Sequence, residues 1–308
     1  MIAFKLFLYF LLPFLIETAP LAEVKQEGTT YHVYLLSGQS NMDGYGYVRE
    51  LPPDLRGPVE GVYIFHGNPA PDDAPVDGRG IWSQLRPGHG VGFASDGKTN
   101  TYSNRFGLEL TFVQRLQELR SGERIALVKY SRGGASIDPA AAGRFGCFDP
   151  DYGAAAGVNQ YDHLLATLRY ALSEPDIDGD GRADRLVPVG ILWMQGESDG
   201  AFTEAIAGKY EGHLKRFMDL LRAALRQDDL PVVIGRISDS GRDDDDGRVW
   251  DHGKRVRAAQ AAFVAADQAA ALVTSTDSYG YSDKWHYDSE GYIDLGRRFA
   301  EALVGVSD

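Results

Sequence analysis

Tyr31-His32-Val33-Tyr34-Leu35-Leu36-Ser37-Gly38-Gln39-Ser40-Asn41-Met42 is an apolar run that stops at a glycine and delivers a serine. Six residues of this composition suit a strand buried on both faces, which lacks the polar alternation of a half-exposed one. A serine at the carboxyl end of such a strand sits where open, mostly parallel sheets bind their ligands.

Similar runs recur along the chain. Val33–Leu36, Val62–Phe65, Ile125–Tyr130, Val187–Met194, Val232–Ile237 and Leu272–Thr274 are short and rich in Val, Ile and Leu. Between and after them, Gly107–Leu119, Tyr161–Leu172, Thr203–Arg226, Lys254–Ala266 and Gly291–Leu303 read as helices. The spacing of Phe112, Leu116 and Leu119, and of Phe217, Leu220, Leu221 and Leu225, is helical. Strand–helix alternation predicts an α/β fold with a mostly parallel central sheet covered on both faces. Residues 66–104, rich in Gly, Pro, Asp and Asn, show no sustained period and are expected to form a long loop roofing the site, with Trp82 and Phe93 as its walls. Asp243–Asp246 reads as a solvated turn.

Composition narrows the function. The 308 residues carry a net charge of −13, which argues against nucleic acid or an anionic membrane as partner. Cys147 is the only cysteine, so no internal disulfide supports the fold. The seven histidines show no ligand pairing at helical spacing, which argues against a metalloenzyme and for no catalytic cofactor. At the N-terminus Lys5 precedes the apolar stretch Leu6–Ile16, with small residues at Ala19 and Ala22. This predicts a signal peptide over residues 1–22, a single mature domain over 23–308, and a secreted or periplasmic protein with no membrane attachment after cleavage. An uncleaved anchor is the alternative.

The chemistry is carried by polar motifs placed after strands or near the C-terminus. Asp283-Lys284-Trp285-His286 supplies a carboxylate and an imidazole on one turn. A serine hydroxyl needs a base, and the base needs a group to hold its tautomer. Ser40, His286 and Asp283 fill these roles. Acyl transfer also needs donors for the developing oxyanion. Tyr130-Ser131-Arg132-Gly133-Gly134-Ala135-Ser136-Ile137 and Trp193-Met194-Gln195-Gly196-Glu197-Ser198-Asp199 offer a glycine pair and a side-chain amide, and the Ser40 N–H offers a third donor.

Separately, Asp176, Asp178, Asp180 and Asp184, with the Arg182 carbonyl between the last two and Gly181 at the sixth loop position, have oxygen donors at spacing that suits Ca²⁺. The EF-hand's closing glutamate is missing, since Val187 stands there. A structural calcium loop is one reading, and an acidic turn without metal the other.

Taken in order, SGQSNM, RGGASI, MQGESD and DKWH resemble the blocks of the SGNH hydrolases, and within them the sialate O-acetylesterase and acetylxylan esterase branch of carbohydrate esterases. The similarity spans roughly Tyr31 to Leu303 and includes Gly107-Leu108-Glu109-Leu110, where relatives tend to carry Pro in place of Leu108. The resemblance implies a three-layer α/β/α sandwich. It also implies Ser40 as nucleophile, His286 as base, Asp283 as its orienter, Ser40, Gly134 and Gln195 as oxyanion donors, and Glu197 as an organiser of the site. The substrate it implies is an acetylated sugar or polysaccharide, for which Tyr45, Tyr47, Trp82, Tyr281 and Trp285 offer stacking faces. A catalytically idle carbohydrate-binding module on the same fold, and a GDSL-type general esterase or lipase, are the competing readings.

Overall fold

The computed structural model describes residues 28–68, 76–153 and 157–307; the segment expected to be a signal peptide lies outside them. Seven strands form one sheet: β1 (Thr30–Gly38), β2 (Val62–His66), β3 (Trp82–Gln84), β4 (Ile125–Ser131), β5 (Arg185–Met194), β6 (Val232–Gly235) and β7 (Ala270–Val273), in the spatial order β7-β6-β5-β1-β4-β2-β3. All neighbours are parallel except β3, which runs antiparallel to β2. The mostly parallel α/β sandwich expected from the sequence is therefore present.

Among the described residues, eight α-helices accompany the sheet: α1 (Ser40–Asp43), α2 (Glu109–Leu119), α3 (Gln160–Ser173), α4 (Glu197–Ala201), α5 (Glu204–Ala207), α6 (Tyr210–Leu225), α7 (Gly253–Ala266) and α8 (Ser289–Ser307). α2 and α8 pack together, and their approach is close. A Cβ on Gly296 would lie 2.3 Å from the Leu108 carbonyl oxygen. On that face the Tyr34 ring meets Phe112 edge-on. The other face is built from α3 and α6, where Phe217 meets Tyr161, Phe148 and Trp193. Strands fed by apolar side chains from both layers are buried along most of their length, as their uninterrupted hydrophobic sequences require.

Two expectations are corrected. Thr203–Arg226 is two helices, α5 and α6: Thr203 Oγ1 accepts from Ile206 N at 3.2 Å to open α5, which closes at Gly208 before α6 begins at Tyr210. The 66–104 segment is not a roof walled by Trp82 and Phe93. Trp82 opens β3 at the sheet edge, donates from Nε1 to Ala171 O of α3 at 3.0 Å and packs against Phe65. Phe93 stacks on His66 with ring centroids 4.1 Å apart and on His89. Among its described residues the segment touches the back of the site, where Val91 N donates to Gly44 O at 2.9 Å.

Sheet register sets up the site. At the end of β1, Gly38 is level with Ser131 of β4 and with Met194 of β5. The chains that leave these three strands, 39–44, 132–137 and 195–199, thus emerge side by side. This is the carboxyl edge at the centre of the sheet, where β4 and β5 flank β1.

Candidate active site

Gly38 begins the site because nothing larger fits. It has φ +148°, and a Cβ there would lie 2.0 Å from the Met194 carbonyl oxygen, whereas glycine tolerates both conditions. Gln39 N then donates to that same carbonyl at 2.9 Å. The chain turns at once into α1, with Met42 N and Asp43 N donating back to Gln39 O. Ser40 is the first residue of this turn and is 6% exposed. Beneath it, buried Lys129 fixes the exit of α1. Its Nζ donates to Asp43 O, His89 O and Glu109 Oε2 at 2.8–2.9 Å, which uses all three ammonium hydrogens.

The Arg132–Ile137 loop passes beside the serine. A Cβ on Gly133 would be 3.5 Å from Ser40 Cβ and 3.7 Å from the Tyr45 hydroxyl. Gly134 has φ +75°, and a Cβ there would strike the Phe145 ring at 2.5 Å. Among the described residues the backbone N–H groups of Ser40, Gly133 and Gly134 have no intramolecular acceptor. The sequence reading selected Gly134; Gly133 is the glycine whose Cβ position faces the serine.

Gln195, read from the sequence as an oxyanion donor, has its amide engaged inside the protein. Its side chain is fully buried, and Nε2 donates to Asp199 Oδ2 at 2.6 Å, with Gln39 Oε1 and Ala135 O at 3.2 Å. Its Oε1 accepts from Tyr210 Oη at 3.0 Å. Both amide hydrogens are committed, because a buried carboxylate four residues on is a stronger acceptor than a neutral group. Burial pushes Asp199 up to about 7, against the Gln195 amide and the backbone N–H groups of Asp138 and Ile137, which favour its ionised form. Gln39, not singled out from the sequence, carries part of this network. Its Oε1 also accepts from Gly196 N and Ser198 N, tying the nucleophile turn to the β5 loop.

Asp283 and His286 lie against each other on one turn. Asp283 Oδ2 lies 2.7 Å from His286 Nδ1, while Oδ1 accepts from Trp285 N at 2.7 Å and His286 N at 2.8 Å. The carboxylate thus caps the turn that carries the imidazole and leaves Nε2 as the free acceptor. Burial lowers the His286 pKa below the ordinary histidine value, with Asp283 pulling the other way. Burial would raise Asp283, but the His286 ring and the N–H of Trp285 outweigh it and hold the carboxyl below its ordinary value.

The imidazole loop is joined to the nucleophile turn through Asn41 and Tyr45. Asn41 Nδ2 donates to Trp285 O at 3.3 Å, and its Oδ1 accepts from Tyr287 N at 3.5 Å. The Tyr45 ring stacks on the His286 ring. Ser40 and His286, far apart in sequence, are therefore on one surface with Gly133. Glu197 is buried, and its Oε1 accepts from Asn41 Nδ2 at 2.8 Å. Of the aromatic candidates, Trp285 is 48% exposed beside His286, Tyr47 lies under Arg105, Tyr281 bonds Ser238 Oγ at 2.7 Å, and Trp82 is remote at the sheet edge.

In the acidic loop, carboxylate oxygens of Asp176, Asp178 and Asp184 lie within 4.8 Å of one another, a hard-oxygen set that fits Ca²⁺. Asp180 does not join them. It accepts from Arg182 N at 2.8 Å and pairs with the Arg182 side chain at 3.8 Å. Tyr31 Oη donates to Asp178 and Thr29 N to Asp184, each at 2.9 Å, so the loop anchors the start of β1.

Residues 30–305 match the family described as carbohydrate esterase, sialic acid-specific acetylesterase. No curated protein matches the chain. Among solved structures, the Arabidopsis thaliana protein AT4G34215 is 20% identical, with a TM-score of 0.58 over 90% of this chain and 98% of its own. XAC1771, a carbohydrate acetylesterase from Xanthomonas citri, is 17% identical, with a TM-score of 0.60 over 90% of this chain and 56% of its own. NanS is 17% identical, with a TM-score of 0.57 over 91% and 98%. These structures share the fold. The sheet, the loops at its carboxyl edge and the family match define a carbohydrate esterase. More particularly, the chain belongs to the sialic acid-specific acetylesterase family, and so is a carboxylic ester hydrolase. Among the described residues no helix is long and apolar enough to cross a membrane.

Proposed function

We propose that this esterase removes O-acetyl groups from carbohydrates, of the sialate or acetylxylan type, through an acetyl-Ser40 intermediate. The observation that carries the reading is the 2.7 Å contact between Asp283 Oδ2 and His286 Nδ1, held beside the Ser40 turn. With Nδ1–H donated to Asp283, Nε2 accepts the Ser40 proton as Oγ attacks the acetyl carbonyl carbon. The N–H groups of Ser40, Gly133 and Gly134 face the tetrahedral oxyanion. Collapse breaks the bond to the sugar oxygen, which leaves with the proton from His286. Water then attacks the acetyl-enzyme with His286 again as base, and acetate departs. Gln195 and Glu197 serve this reaction by holding the loops, and Trp285 offers a face to the sugar.

The same reading includes export through residues 1–22 and a structural Ca²⁺ held by Asp176, Asp178 and Asp184. Neither takes part in the ester chemistry. Turnover of p-nitrophenyl acetate and butyrate by wild type and Ser40→Ala tests the mechanism. Acetate turnover that falls roughly 10⁴-fold or more in the variant is expected, and turnover that survives would refute it. Acetate release from O-acetylated sialic acid against acetylated xylan decides the sugar.

A further inference from the structure

Asn41 follows the nucleophile directly and is 1% exposed. Its carboxamide has two donor hydrogens and two acceptor lone pairs, and all four are engaged. Nδ2 donates to Glu197 Oε1 at 2.8 Å and to Trp285 O at 3.3 Å. Oδ1 accepts from Tyr292 Oη at 2.7 Å and from Tyr287 N at 3.5 Å. Trp285 and Tyr287 are the two chain neighbours of His286. One side chain next to Ser40 therefore grips the backbone on both sides of the imidazole. We propose that Asn41 is a positioning residue that sets the register between Ser40 and His286, and that Glu197 fixes which end of its carboxamide faces each partner.

The orientation is decided by charge and polarity. Turning the amide over would place Oδ1 against the Glu197 carboxyl and the Trp285 carbonyl, and would set Nδ2 against the Tyr287 N–H. With Glu197 ionised, three of the four contacts would then pair like with like, and only the Tyr292 hydroxyl could turn to accept. Glu197 is an expensive way to enforce this, since it is 1% exposed and its Oε2 has no partner among the described residues. A buried acid with an unsatisfied oxygen destabilises the interior unless it is paired elsewhere. Among the described residues its one side-chain partner is Asn41. Burial raises its pKa, and Oε1 accepts from Asn41 in either protonation state.

The inference rests on the acyl-serine reading, so Ser40→Ala is measured alongside. Asn41→Asp replaces the Nδ2 donor with an oxygen that faces two acceptors. The displaced loop should lower kcat on p-nitrophenyl acetate about 100-fold, the cost of an ångström-scale misplacement, with KM changed less than about threefold. Glu197→Gln alone keeps an acceptor and should be mild. In Asn41→Asp/Glu197→Gln the donor and acceptor exchange places, and kcat should recover about tenfold over Asn41→Asp. A merely structural role predicts no such rescue. Asn41→Asp with wild-type kcat, or a double variant no better than the single one, would overturn the proposal. Should Asn41→Asp fail to fold, Tyr292→Phe carries the test. It removes one bond to Oδ1 and should lower kcat about fivefold at constant KM, and an unchanged kcat counts against the proposal. A Ser40→Ala enzyme that still turns over would instead sink the mechanism, whatever Asn41 does.

Discussion

Tyr45 lies flat on His286, with ring centroids 3.5 Å apart and planes inclined by 6°. The tyrosine is held in turn by Arg105, whose guanidinium donates to the Tyr45 carbonyl and covers the Tyr47 ring 3.6 Å from its centroid. With Tyr45 across one face, Asp283 on Nδ1 and Asn41 on the flanking backbone, the imidazole has little freedom to turn. The same cover keeps water from one face of the ring.

The pH dependence of the wild type follows. The neutral imidazole is the active base, and burial shifts its pKa downward. A lowered pKa keeps the ring neutral to more acidic pH than an ordinary histidine, whose value is about 6.5. The acid limb of kcat/KM should therefore have its inflection below that value. A limb centred at or above it, in the pH–rate profile for p-nitrophenyl acetate, would contradict the assignment of His286 as base.

Tyr45→Ala tests the cover itself. Opening one ring face to water relieves the desolvation that lowers the pKa, so the acid inflection should move up toward the ordinary histidine value. Loss of positioning should reduce kcat/KM by about 10- to 100-fold. Tyr45→Phe retains the stacked face and should leave the inflection in place. The paired profiles separate the contribution of the ring from that of the hydroxyl.

The parallel strands were legible in sequence because burial on both faces demands uninterrupted apolar runs, and those runs are visible one residue at a time. β3 was not. It is three residues long and contains Ser83 and Gln84, and its strand conformation comes from pairing with β2 rather than from its composition. Ser40, Asp283 and His286 were legible as local motifs, each carrying its own chemistry. The partners of Asn41 and Gln195 were not. Gln195 has the right chemistry to stabilise an oxyanion, but only the folded chain reveals that Asp199 takes its amide. Lys129 is a charged residue inside the apolar run Ile125–Tyr130, and its reason appears only when Glu109 arrives from α2.

Asp199 should be hard to replace. Its carboxylate accepts from Gln195 Nε2, Ile137 N and Asp138 N, holding the two loops that flank Ser40. Asp199→Asn exchanges one acceptor oxygen for a donor, which leaves at least one buried N–H unsatisfied at a cost of roughly 1–3 kcal/mol. Both the urea midpoint and kcat should fall. A variant that matches wild type in both would show that these loops are held by other means.

The Lys129–Glu109 pair allows a sharper test, because both side chains are 0% exposed. Lys129→Met leaves the Glu109 carboxylate buried without its cation and should cost about 3–5 kcal/mol. Lys129→Met/Glu109→Gln removes the net charge and should recover part of that loss. Denaturant unfolding of the single and double variants checks the coupling. Additive losses would mean that the two side chains do not act as a pair.

The acidic loop is tested by metal alone. Asp176, Asp178 and Asp184 converge, and burial raises Asp184, with Asp178 and Asp176 adding to the shift. A divalent cation would relieve that crowding of like charge. At a tenfold excess over its dissociation constant, Ca²⁺ should stabilise the fold by about 1.4 kcal/mol, read as a Tm a few degrees higher than in chelator. Asp178→Asn should remove most of this difference. Asp180→Asn should remove less, because Asp180 turns away to Arg182. Activity on p-nitrophenyl acetate at low temperature should be equal with and without Ca²⁺, since the loop lies at the start of β1 and the serine at its end. Equal melting temperatures in Ca²⁺ and chelator would leave the loop as an acidic turn.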